Sequence, residues 1–111
     1  MVIIESYEFA QKVETFLQDE EYGELQWYLV RHPESGDLIR GGGGLRKLRW
    51  ASQSKGKRGG YRIIYFFHMA DDTILMVDMY KKNQQEDLSQ GQLSYLKGLV
   101  KEFQKQQGNQ S

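Results

Sequence analysis

The chain has 111 residues, 39% apolar, 13% aromatic and 27% charged, which is room for one hydrophobic core and the makeup of a folded domain rather than a disordered segment. With no cysteine, disulfides, iron–sulfur clusters, thiolate metal sites and cysteine nucleophiles are excluded and a reducing cytoplasm suits the chain. Apolar runs of the Ile63 to Phe67 kind are too short for a membrane span, and Met1 to Ile4 is too short for an export signal. The net charge of zero, from 15 basic and 15 acidic residues, hides a segregation: residues 5–37 carry nine acids and two bases, residues 38–82 carry ten bases and three acids, and Arg40 to Arg62 holds eight cations and no acid.

Val2 to Glu5 reads as a short strand, and Phe9, Val13, Phe16 and Leu17 form the stripe of an amphipathic helix entered at Ser6. Asp19 is placed to cap a second helix with apolar positions Tyr22, Leu25 and Leu29, which His32-Pro33 ends. These two make a helical hairpin. Residues 34–44, ending in four glycines, lack periodicity and read as a connecting loop. Leu45 to Ser52, Tyr61 to His68 and Thr73 to Tyr80 are β-branched and aromatic runs, the last two joined by an Ala70-Asp71-Asp72 turn. Ser89 and Gln92 form a capping box ahead of a stripe of Leu93, Leu96, Leu99, Val100 and Phe103. The order predicts a single α+β domain over residues 1–107: an antiparallel sheet with an N-terminal helical hairpin and a C-terminal helix, all helices on one face. A frayed tail is expected at 108–111.

Most chemical motifs are missing. GGGGLRKL lacks the spacing of a phosphate-binding loop, His32 and His68 have no ligand partners in sequence, and nothing resembles a nucleophile elbow. What remains is cationic and phenolic. Lys47 and Arg49, two apart on one strand, leave the same face; Arg62 opens the next strand; Lys55, Lys57 and Arg58 sit in the glycine-rich loop between; Tyr80, Lys81 and Lys82 close the last strand. Cations gathered on one sheet edge repel one another, and convergent Arg and Lys groups are what phosphodiester binding and developing negative charge require. A solvated basic face balanced by the acidic third is the plain alternative.

The stretches GGLRKLR (43–49), KGKRGGYRIIYFF (55–67) and MYKKN (79–83), followed by a closing helix, resemble the HigB-type branch of the RelE toxins of bacterial toxin–antitoxin systems over nearly the whole chain. The resemblance implies a microbial-ribonuclease-like fold and cleavage of mRNA in the ribosomal A site without a metal or organic cofactor. It also implies neutralisation by a small helix-turn-helix antitoxin. It places Arg62 on the scissile phosphate, Lys47, Lys57 and Lys82 among the catalytic cations, and Arg49, Lys55, Arg58, Tyr80 and Lys81 along the RNA. The tyrosine that many relatives carry at the entry of the last helix is Ser89 here, which leaves Tyr80 as the phenolic substitute. Crowding by other cations makes a lysine a better base at neutral pH, so Lys47 and Lys57 are the candidates. Arginine stays charged, and Arg62 is cast as the phosphate clamp. The acidic hairpin offers Tyr22, Glu24 and Tyr28 as antitoxin contacts. The other class of function is a non-catalytic RNA- or ribosome-binding module using the same patch, with Trp50, Tyr61 or Tyr80 as stacking surfaces.

Overall fold

In the computed structural model, which describes residues 1–51 and 60–108, the chain order is β1 (Val2–Glu5), α1 (Tyr7–Phe16), α2 (Asp19–Arg31), β2 (Asp37–Leu38), β3 (Leu45–Trp50), β4 (Tyr61–His68), a 3-10 turn (Met69–Asp71), β5 (Thr73–Lys81) and α3 (Gln90–Gly108). Local chemistry explains most boundaries. Ser6 Oγ accepts the Phe9 amide at 3.0 Å and starts α1. Ser89 Oγ accepts the Gln92 amide at 3.1 Å while Gln92 Oε1 accepts the Ser89 amide at 2.8 Å, the reciprocal pair that starts α3. Asp19 lies inside α2 rather than capping it; Gln18 is the capping position and gives no side-chain bond. With Glu20 and Glu21, Asp19 favours the helix through its dipole instead.

The five strands form one sheet in the order β1-β5-β4-β3-β2. β2 to β5 pair antiparallel as a meander, whereas β1 runs parallel to β5, with Val2 opposite Thr73. One expectation changes here. The segment 34–44 is not wholly a loop, because Asp37 and Leu38 pair with Lys47 and Arg46 as a two-residue edge strand too short to show a period. The glycines that follow make a tight turn: Gly44 has a φ of 101°, and a Cβ there would lie 2.7 Å from the Phe66 ring.

The helices also do not share one face. Phe9, Val13, Leu17, Leu25 and Leu29 from α1 and α2 bury Leu48, Ile63, Tyr65, Ile74 and Met76 on one side. Leu96, Val100 and Phe103 from α3 bury Leu45, Ile64, Phe66, Leu75 and Val77 on the other. The physical reason is that β4 and β5 are apolar on both faces, so each face needs a cover. A β-bulge interrupts their pairing: Ile64 faces Asp78 but Tyr65 faces Met76, leaving Val77 as the extra residue. Beyond it the alternation reverses, so Met79 joins the α1/α2 core and Tyr80 the α3 core. Among the described residues no helix is long and apolar enough to cross a membrane.

Candidate active site

The bulge decides which side chains meet. Leu45 and Ile64 lie in the α3 core, so Lys47, Arg49 and Arg62, at even spacing from them, leave the same face of the sheet. Arg49 stands opposite Arg62, and Arg62 opposite Tyr80, which makes a row across three strands with Lys47 one step along. Were β5 regular, Tyr80 would turn to the other face. Two arginines directly across from one another oppose folding, and Arg62 is only 7% exposed. Guanidinium groups converging in this way are suited to binding an anion.

α3 covers Leu45, Phe66 and Leu75 farther along these strands and leaves beside the row a cleft of about 450 Å³ lined by Ser35, Asp37, Lys47, Leu48, Arg49, Arg62, Lys82 and Glu86. Its rim is built. Tyr65, fully buried, accepts the Gly36 amide and donates to the Pro33 carbonyl, both at 2.9 Å. Arg46 donates to the carbonyls of Glu34 and Gly36 at 3.0 and 2.8 Å. These bonds hold Ser35 and Asp37 against the edge of β3.

The electrostatics are more balanced than the cation run implied. Lys47 Nζ lies 2.8 Å from Asp87 Oδ1, and that ammonium holds the Asp87 carboxyl below the usual carboxylate range. With Asp37 and Glu86 in the cleft wall, three carboxylates face four cations. Tyr80 is 5% exposed and its hydroxyl has no hydrogen-bond partner among the described residues. Burial pushes its pKa up, against the pull of Lys47 and Arg62. The phenol therefore stays protonated at neutral pH and is not a base.

Four of the expected residues, Lys47, Arg49, Arg62 and Lys82, thus line one cleft, with Tyr80 in the same face. Lys81 is elsewhere: its ammonium sits 5.1 Å from the Phe16 ring, on the α1 side. Lys55, Lys57 and Arg58 lie outside the described residues. Tyr61 is a core residue whose hydroxyl donates to the Phe16 carbonyl at 3.2 Å, so it offers no stacking face. Ser35, Asp37, Glu86 and Asp87 were not anticipated. The local signal for the last two was the capping box at Ser89, which fixes where the preceding residues must turn.

A second recess runs along the outer side of α2, lined by Glu24, Trp27, Tyr28, Arg31 and Trp50. Of the expected antitoxin contacts, Glu24 and Tyr28 line it, with Tyr28 against the Trp50 and His32 rings. Tyr22 instead packs on Phe9 and donates to Glu5, turning its ring inward. Trp27, 65% exposed, is the large side chain most available there.

Comparison with known proteins gives the family and the fold. Residues 30–110 match the family model of the RelE toxin of the RelE/RelB toxin–antitoxin system. The fold is similar to a chain of the crystal structure of the intact E. coli RelBE toxin–antitoxin complex, with a TM-score of 0.55 and 14% identity over 72% of this chain and 94% of that one. It is also similar to a mutant E. coli toxin RelE in the free state, with a TM-score of 0.54 and 19% identity over 77% of this chain and 86% of that one.

Proposed function

Since the chain belongs to the RelE toxin family of toxin–antitoxin systems, we propose that it acts in the cytoplasm as a ribosome-dependent endoribonuclease of the HigB type, cutting mRNA and so stopping translation. The observation that carries this reading is the cationic row in one cleft, Arg49 and Arg62 with Lys47 and Lys82, with a protonated phenol in the same face. Cleavage of RNA by side chains alone needs the substrate 2′-OH as nucleophile, an acceptor for its proton, positive charge on the non-bridging oxygens and a donor to the departing 5′-oxygen. Arg62 clamps the scissile phosphate through a guanidinium that stays charged. Arg49 and Lys82 hold the strand beside it. Lys47, ion-paired with Asp87 in the resting site, adds positive charge at the phosphate, Lys57 takes the 2′ proton, and Tyr80 supplies the one the leaving oxygen needs.

A site with so little base chemistry depends on a strand already held for in-line attack, and the ribosomal A site supplies that geometry. The neutralising partner is a small antitoxin protein. Mapping mRNA 5′ ends in a cell-free translation reaction tests the proposal: new ends inside codons are expected. Arrested translation over intact mRNA would replace the nuclease with a binding module on the same patch.

A further inference from the structure

The cleft carries its own anion. Asp87, between β5 and α3, sets a carboxylate oxygen 2.8 Å from Lys47 Nζ, and its backbone is held in place. Gln85 Nε2 donates at 2.9 Å both to the Asp87 carbonyl and to Gln92 Oε1, the atom that also closes the α3 capping box. The carboxylate itself remains 73% exposed. An ion pair at that exposure contributes little and exchanges readily. A phosphate oxygen approaching Lys47 competes with this carboxylate for the ammonium, while the neighbouring Glu86 repels it.

Building on the nuclease reading, we propose that Asp87 is a stand-in for phosphate: it occupies Lys47 in the resting site and is exchanged for the RNA backbone, which makes the toxin selective for RNA presented to it. Free RNA below saturation bears the exchange in its affinity. A strand held in the A site at high effective concentration saturates the cleft regardless, so the same cost leaves its cleavage nearly unchanged. The carboxylate is thus a specificity determinant rather than a catalytic residue.

Binding of a 2′-deoxy-substituted, uncleavable oligoribonucleotide to the full chain tests this. Asp87→Asn keeps the shape and backbone bond and should tighten binding roughly three- to fivefold, the scale of an exposed ion pair. The salt dependence should steepen by up to about 0.7 in slope, because the carboxylate freed in the wild type recruits a cation that offsets one released from the RNA. In a Lys47→Ala background the gain should vanish, and Glu14→Gln, which removes the same charge from exposed α1 on the opposite face, should give none. No gain for Asp87→Asn, whether both proteins bind or neither does, overturns the proposal, as does a gain that survives loss of Lys47. The two readings separate cleanly: tighter binding with mRNA left intact retains the exchange and rejects the nuclease, while cut mRNA without tighter binding does the reverse.

Discussion

Arg62 combines near-complete burial with an arginine directly opposite on the next strand, so it is the residue whose removal most directly tests the proposed phosphate clamp. Arg62→Ala is expected to stay folded and to lose about 10² to 10³ in cleavage rate, by analogy with deleting one donor to a developing oxyanion. The readout is 5′-end mapping in cell-free translation beside a circular dichroism melt; cleavage at the wild-type rate would remove the phosphate-clamp role. Tyr80 gives a cleaner separation of structure from chemistry. Its hydroxyl is buried without a partner among the described residues, so Tyr80→Phe should leave stability unchanged or raise it by up to about 1 kcal/mol. Cleavage should nevertheless fall about 10²-fold, the lower end of what a general acid contributes. Equal losses of stability and activity would return Tyr80 to a purely structural part.

At the level of elements, the candidate site depends on an edge that sequence periodicity does not show. β2 is two residues long, and the turn before it is held by the Tyr65 hydroxyl and the Arg46 guanidinium. Tyr65→Phe keeps the ring and removes both bonds, leaving a buried amide and carbonyl short of partners. A loss of about 1–3 kcal/mol is expected in urea unfolding. Gly36→Ala strikes the same joint from the other side, since its Cβ would lie 2.8 Å from the Tyr65 ring, and overpacking of that kind costs about 1–3 kcal/mol. Both variants should also displace Ser35 and Asp37 from the cleft wall, read as altered RNA affinity. A variant as stable as the wild type would show that the turn is held by other means.

For the molecule as a whole, the charge map presents an inhibitor with two opposite surfaces, the cationic cleft and the outer side of α2. The acidic hairpin is expected to carry the antitoxin, with the bulk of the complex excluding the toxin from the ribosome. Glu21 is 7% exposed, so altering it would disturb the fold; Glu24 and Trp27 are the accessible positions. Antitoxin affinity is measured for two variants, Glu24→Lys with Trp27→Ala, and Lys47→Ala with Arg62→Ala and Lys82→Ala. The first should lose at least tenfold and the second little. The reverse result would make the antitoxin a plug in the active site.

Helix stripes, capping boxes and strand runs are written in neighbouring residues, and so every element but the two-residue β2, their order and the alternation that puts Lys47 and Arg49 on one face were legible from the sequence. The cation run likewise pointed to the cleft that Lys47, Arg49, Arg62 and Lys82 line. Three features were settled only by tertiary structure. The second helical cover depends on β4 and β5 being buried on both faces, which an unbroken apolar run does not distinguish from one. The turn of Tyr80 toward Arg62 depends on a single extra residue, Val77, whose register exists only relative to β4. The acids Asp37, Glu86 and Asp87 meet the cations because separate loops fold onto one sheet edge. Local chemistry determines what a segment forms, but a site assembled from residues 35 to 87 has no local pattern to read, since its members are neighbours in space alone.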